Sequence, residues 1–446
     1  MEIQKIRYLV RKRDFSLSDS DIEDKASYIF ECIQRGAYDF SNYKREIFTQ
    51  QGKKRAIYSY DKLSCEDILC QYLKMQLDNA FHIKYASRNR IINILFNVLP
   101  TVKDMNDFVI IRADFKSFFD SVLTRHVYEK YIQESMLKRS DKEMLEEYIT
   151  NFKYCYAGLC LSNGMTEIVC RDFDERLKAK MSKYGIFFYE RYVDDIILIA
   201  NRYISEKMFM GTVDETIKEV FGSSPVKIST EKNKFSYISR RNLLSKTSVS
   251  FNFLGYEFEL KKDKEKEDED TEEEISFKYG IASKKRKRYE GIIERAFAQY
   301  KADNNLELLR QRIKMYSSRV VVARTIGSSS YDWLTKGIVA NYNELRYHIG
   351  SLLPDTTKFL KNLYSNLFKT YGIKMPYFMK QSFKEDSIYN VYSNLKRNRT
   401  IVFEKGIGVS EATVLKWIKR INPAYDNGGK DYYRIVVDYL EMLKVE

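Results

Sequence analysis

Apolar and polar positions change period along this chain. FVIIRADF (Phe108–Phe115) is an almost unbroken apolar run, the pattern of a strand buried on both faces. It ends near Asp114, and KSFFDSV (Lys116–Val122) then turns toward a helix. FFYERYVDDIILIAN (Phe187–Asn201) predicts two strands, FFYERYV and IILIA, with Asp194-Asp195 as the turn between them. FNFLGYEFEL (Phe251–Leu260) and ISFKYGI (Ile275–Ile281) also read as strands by alternation. Between them KKDKEKEDEDTEEE (Lys261–Glu274) has no apolar residue and predicts the solvated tip of a long hairpin. Before this loop the pattern mixes helix and strand. After it the spacing is mostly helical: KKRKRYEGIIERAFAQY, LELLRQRIKMY, then WLTKGIVANYNELRYHIG. Ile401–Glu446 predicts a small helical unit with one NPAYDNGG turn (Asn422–Gly429). In it, Ser410 would cap a helix that buries Val414, Trp417 and Ile421. No internal repeat is present, and only five prolines interrupt the chain.

Composition narrows the classes of function. A chain of 446 residues fits two to four packed subdomains. Its formal charge is +14, and the acidic loop alone carries −5, so the rest carries +19. Such a surplus favours polyanions, because Lys and Arg that neutralise phosphates release counterions. Aromatic residues make up 14%, which suits stacked single-stranded bases. The basic helix beginning SKKRKRYEGII (Ser283–Ile293) is a candidate for contact with a nucleic-acid backbone. The six cysteines form no C-x-x-C pair and there are three His, which argues against a structural zinc site or a C-x-x-C redox centre. Reduced thiols, no apolar signal core and no apolar run of membrane-spanning length lead us to expect a cytoplasmic protein with no membrane partner.

The chemistry concentrates in the carboxylates. Asp is a poor strand former, and adjacent Asp side chains repel, so two of them between apolar strands need a cation. Magnesium meets that need: it takes hard oxygen ligands and keeps waters for substrate phosphates. Asp114, Asp194 and Asp195 are therefore the expected ligands of two Mg²⁺ ions, with Mn²⁺ able to substitute. Such a pair serves phosphoryl transfer to a hydroxyl.

Other motifs fall in order around these residues. GKKRAIY (Gly52–Tyr58) and SRNRII (Ser87–Ile92) precede Asp114; GLCLSNGMTE (Gly158–Glu167) lies between the two acidic segments; ISTEKNKF (Ile228–Phe235) and FLGY (Phe253–Tyr256) follow. With FKSFFDSV and YVDD (Tyr192–Asp195), this series resembles the bacterial reverse transcriptases over roughly Gly52 to Gly280. The likeness implies an α+β fold, a right-hand polymerase with fingers, a palm with an antiparallel sheet, and a thumb, followed by a helical C-terminal region. The corresponding divisions are 1–105, 106–282, 283–375 and 376–446.

The resemblance also implies roles. Asp114, Asp194 and Asp195 would hold the metals, and Lys232 would give a proton to the leaving pyrophosphate. Phe115 and Phe119 would line the dNTP site, with Phe119 under the sugar to exclude a 2′-hydroxyl. Lys54, Arg55, Arg88 and Arg90 are candidates for the triphosphate. Gly158, Ser162, Thr166, Tyr192, Phe253, Leu254 and Gly255 would meet template and primer.

One motif departs from the pattern. Where the family carries Leu-Pro-Gln-Gly, this chain has Leu159-Cys160-Leu161-Ser162. With the helical C-terminal region, this makes the defence-associated, abortive-infection type the best likeness, related to retron and group II intron enzymes. The resemblance implies RNA-directed DNA synthesis from dNTPs on an RNA template or with a non-coding RNA, in antiphage defence, by a homo-oligomer or with a partner protein. Two alternatives stay open: template-independent or protein-primed synthesis, and a catalytically silent nucleic-acid-binding scaffold.

Overall fold

The computed structural model describes residues 2–14, 16–50, 53–262, 275–326, 330–380 and 387–444. Most of the acidic loop, 263–274, lies outside them. The chain divides into two compact units. The first comprises Met1–Asp14, Asp19–Val249 and Lys262–Ile275; the second comprises Phe15–Ser18, Ser250–Lys261 and Ser276–Glu446.

The first unit opens with helices α1 (Ile3–Arg13) and α2 (Asp19–Gln34), then the hairpin β1 (Lys44–Gln50) and β2 (Lys53–Ser59). Helices α3 (Cys65–Ala80) and α4 (Arg88–Val98) follow, started by the hydroxyls of Ser64 and Ser87, which accept from the backbone three residues on. Next come β3 (Val109–Asp114), the short α5 (Thr124–Val127), α6 (Arg139–Asn151) and α7 (Cys160–Met181). The hairpin with the paired acids is β4 (Ile186–Tyr192) and β5 (Asp195–Ala200), followed by α8 (Glu206–Phe221), β6 (Ser236–Ser239) and α9 (Arg240–Leu244). The central sheet runs β4-β5-β3-β6 and is antiparallel throughout. The apolar runs read in the sequence are its inner strands: every residue of β3 is buried, as is β5 beyond Asp195. Helix α7 packs against α3 and α8, and Phe115, Phe118, Phe173 and Phe221 form an aromatic cluster in that core.

In the second unit FNFLGYEFEL is not one strand but two, β7 (Ser248–Phe253) and β8 (Tyr256–Lys262), and β8 pairs with β9 (Ile275–Ile281). The turn falls at Leu254–Gly255, with φ of 47° and 83°, the positive values that a two-residue hairpin turn demands. Helices α10 (Ser283–Asp303) and α11 (Leu306–Tyr316) come next. Strands then interrupt the mostly helical continuation that the spacing predicted. Strands β10 (Arg319–Ile326) and β11 (Ser330–Lys336) precede α12 (Ile338–Asn341), α13 (Pro354–Thr370), α14 (Tyr377–Lys380) and α15 (Val391–Lys396). After them β12 (Thr400–Glu404) and β13 (Ile407–Gly408) precede α16 (Glu411–Ile421) and α17 (Tyr432–Leu443). The sheet runs β11-β10-β12-β13, with β10 and β12 parallel. The β-branched run Val320–Val322 favours a strand, but its partner lies some eighty residues on and leaves no local signature. Helix α16 is capped by Ser410 as expected, but it buries Val414, Ile418 and Ile421. Trp417 is half-buried instead, with the Lys314 ammonium 3.9 Å from its ring centre. Among the described residues no helix is long and apolar enough to cross a membrane.

Candidate active site

Strands β3 and β5 bring the two acidic segments together. Their register places Asp114 opposite Asp195, and across the hairpin Tyr192 lies opposite Asp195. The turn is therefore Val193–Asp194, and Asp195 already belongs to β5. Two-residue loops match the twist of paired strands, which is why closure comes one residue earlier than the sequence pattern suggested. Backbone bonds fix the strand ends: the Phe115 amide donates to the Asp194 carbonyl (3.1 Å), and the Ser229 amide donates to the Asp114 carbonyl (2.8 Å).

Three carboxylates here face two cations. Lys234 pairs with Asp114 Oδ2, and the Arg112 guanidinium donates to Asp195 Oδ1 and to the Asn233 carbonyl (2.6 Å). Asp114 is 3% exposed, and its other oxygen is buried without a hydrogen-bond partner. Burial, reinforced by the charges of Asp114 and Asp195, pushes the Asp194 carboxyl up to about 7. Burial also raises Asp195, against the pull of Arg112. Among the described residues no three carboxylate, imidazole or thiolate groups stand in ligand geometry, and Lys234 and Arg112 supply the local positive charge. The donor chemistry nevertheless fits a hard divalent cation: oxygen ligands, one of them an orphaned buried oxygen, and a surplus of negative charge.

A second ionic cluster lies next to the hairpin. Arg191 on β4, its side chain 3% exposed, donates to both oxygens of Glu167 (2.8 and 3.1 Å) and of Asp174 (3.0 and 3.1 Å) on α7, and to the Val193 carbonyl (3.0 Å). Tyr189 donates to Asp174 (2.6 Å). Burial raises the Asp174 carboxyl despite this company.

The remaining sequence-predicted residues separate. Phe119 is half-buried beside Phe118, ring centres 5.7 Å apart. The Phe115 ring is fully buried in the aromatic cluster, and its backbone amide is the part that meets the acidic turn. Ser162 and Thr166 are likewise turned into the core. Ser162 is buried, and the Thr166 hydroxyl donates to the Ser162 carbonyl within α7 (2.7 Å). Gly158 has φ +100°, and a Cβ there would collide with the Tyr58 carbonyl, where β2 docks through the Tyr58 amide on the Ala157 carbonyl (2.9 Å). Lys54 and Arg55 are exposed on β2. Arg88 and Arg90 stand in the first turn of α4, and Arg90 pairs with Glu190 (3.0 Å). Lys232 is exposed in the turn before β6; the lysine that reaches a carboxylate is Lys234, two residues on. Phe253, Leu254 and Gly255 form their hairpin in the second unit.

Sequence reasoning missed Arg112, Lys234 and Arg191. Arg112 was legible, since residues two apart on a strand share a face and Asp114 is two residues on. Lys234 sat inside a motif already singled out. The pairing of Arg191 with α7 left no periodic signal.

Residues 68–258 match the family model of reverse transcriptase (RNA-dependent DNA polymerase). The match spans Asp114, Asp194, Asp195 and Lys234, so this part of the chain is similar to the domain of that family. The described residues of this part mix helices with an antiparallel sheet, an α+β fold. No curated protein matches the sequence. Among solved structures, apo telomerase from Candida tropicalis, truncated from its C-terminal domain, is 14% identical with a TM-score of 0.33 over 51% of this chain. Telomerase from Candida albicans, in complex with a fragment of telomeric RNA, is 11% identical with a TM-score of 0.39 over 90%. The chain spans 56% and 65% of the lengths of these two proteins.

Proposed function

We propose that the protein is a reverse transcriptase that adds dNTPs to a growing 3′-hydroxyl, in bacterial antiphage defence of the abortive-infection type. The observation that carries the polymerase reading is the register of β3 and β5, which sets Asp114 against Asp195 with Asp194 in the adjoining turn, inside the matched domain. Two magnesium ions (or manganese), held by Asp114 and Asp194 with Asp195 beside them, would supply hydroxyl activation and neutralise phosphate charge when bound. Around them the chain's own side chains have separate work. Arg112 holds Asp195 in place. Phe119 excludes the ribose 2′-hydroxyl. Lys54, Arg55, Arg88 and Arg90 are the candidate cations for the triphosphate, and Lys232 or Lys234 for the pyrophosphate.

The defence role, a cytoplasmic location, and a homo-oligomer or partner protein rest on the sequence resemblance. So does the division into fingers (1–105), palm (106–282), thumb (283–375) and C-terminal region (376–446). A second reading, untemplated or protein-primed synthesis, is favoured by Cys160-Leu161-Ser162: Ser162 is buried where the family presents residues to the template strand.

The test is nucleotide incorporation by wild type and Asp194→Ala/Asp195→Ala, with Mg²⁺ or Mn²⁺, dNTPs or NTPs, and with or without a primed RNA template, followed by sequencing of the product. DNA copied from the template by wild type alone supports the first reading, and DNA of unrelated sequence supports the second. No incorporation under any condition points to a nucleic-acid-binding scaffold.

A further inference from the structure

We propose that Arg191 is a positioning residue for the reaction: it clamps the turn that carries Asp194 to helix α7. The inference rests on the polymerase reading and assigns a part to a residue outside the carboxylate site.

Arg191 lies two residues before Val193 on the strand that leads into the turn. Its fork meets Glu167 and Asp174, and the nitrogen that donates to one Glu167 oxygen also donates to the Val193 carbonyl. The guanidinium meets both oxygens of each acid and the carbonyl from three separate nitrogens; an ammonium has three donors on one atom and cannot span the two acids bidentately. A buried ion pair needs no third bond to a turn carbonyl, and here the third bond falls at a telling place.

Val193 has φ 58°. A β-branched residue in the left-handed region is an outlier, and such conformations persist only where the surroundings over-determine them. The surroundings here are two hydrogen bonds that bracket Asp194. Arg191 holds the carbonyl before it, and the Phe115 amide holds its own carbonyl. Without the clamp the Val193 peptide is free to relax toward ordinary angles, and the Asp194 carboxylate swings with it. Glu167 and Asp174 both belong to α7, the helix that starts in the altered Leu159–Ser162 segment. The position of that helix is thereby passed to Asp194.

A displacement of about 1 Å at a reacting centre costs about 100-fold in rate, and loss of a group that orients a metal ligand weakens metal affinity about 10- to 100-fold. The experiment compares wild type, Asp194→Ala, Arg191→Lys, Val193→Gly and the Arg191→Lys/Val193→Gly pair. It measures single-nucleotide kcat and dNTP KM, the Mg²⁺ concentration for half-maximal rate, direct Mn²⁺ binding by electron paramagnetic resonance, and the melting temperature. Arg191→Lys keeps the charge that balances the two acids. It is expected to lower kcat about 100-fold and Mn²⁺ affinity about 10-fold, with dNTP KM within about threefold of wild type. Glycine adopts φ 58° without strain, so Val193→Gly is expected to recover at least about tenfold of the loss in the double variant. A purely stabilising ion pair would move the melting temperature alone and gain nothing from Val193→Gly. If Arg191→Lys does not accumulate folded, Glu167→Gln carries the test, since Asp174 still balances the arginine: a fall of about tenfold in kcat is expected. Wild-type kcat and Mn²⁺ affinity in the folded variant overturn the assignment while the polymerase reading stands. Wild type as inactive as Asp194→Ala overturns both.

Discussion

Asp194→Asn should make the metal-free protein more stable at pH 8, and much less so at pH 5. In the folded chain burial and two neighbouring carboxylates hold the Asp194 proton up to about 7, against 3.8 in the unfolded chain. Over the window from about 4 to about 7 the native state therefore binds more protons than the unfolded state, and stability falls as pH rises through it. At ~1.36 kcal/mol per pH unit the full displacement amounts to about 4 kcal/mol, and relaxation around Lys234 and Arg112 reduces this to about 2–4 kcal/mol. Asparagine keeps the shape and removes the charge. Allowing for one imperfect hydrogen bond, the gain at pH 8 is about 1–3 kcal/mol, or several degrees in melting temperature. The assay is thermal and urea unfolding in EDTA at pH 5 and pH 8, repeated with Mg²⁺ at pH 8. Magnesium should reverse the order, because only wild type gains stability from binding it. Equal stability of the two proteins at pH 8, or the same gain at both pH values, would refute the picture of a turn strained by uncompensated charge.

Lys234→Met removes the cation paired with Asp114; thermal melts should show the metal-free protein destabilised by about 1–3 kcal/mol at pH 8, with most of the loss recovered on adding Mg²⁺. Phe119→Ala should raise NTP use relative to dNTP use by about tenfold or more in kcat/KM, read by single-nucleotide incorporation, with melting temperature little changed. Gly158→Ala forces a side chain onto the Tyr58 carbonyl at φ +100° and should cost about 2 kcal/mol or more; a melting temperature equal to wild type would contradict the docking of β2 on this segment.

How much of this was legible in the sequence differs from element to element. The buried strands Val109–Asp114 and Asp195–Ala200 announced themselves as apolar runs, because strands covered on both faces need apolar residues at every position. The acidic residues at their ends stood out for the opposite reason: charge is costly beside such strands unless it has work to do. The second unit was read less well. Its helices follow local 3.6-residue periodicity, whereas its sheet joins Arg319–Ile326 to Thr400–Glu404, and a pairing between distant segments leaves no local pattern.

Within the site, the sequence by itself determined which residue types could act: three carboxylates, a bulky Phe119, a cluster of cations. Tertiary structure decided which of them meet. Register put Asp114 opposite Asp195 and left Asp194 in a strained turn. Packing turned Phe115, Ser162 and Thr166 inward, although motif position alone had set them facing substrate. It also chose Lys234 over Lys232, and it brought Arg191 to acids on a helix about twenty residues earlier in the chain. The physical reason is common to all of these: periodicity and composition are properties of neighbours along the chain, while charge pairing and side-chain direction depend on what folding sets a few ångströms away.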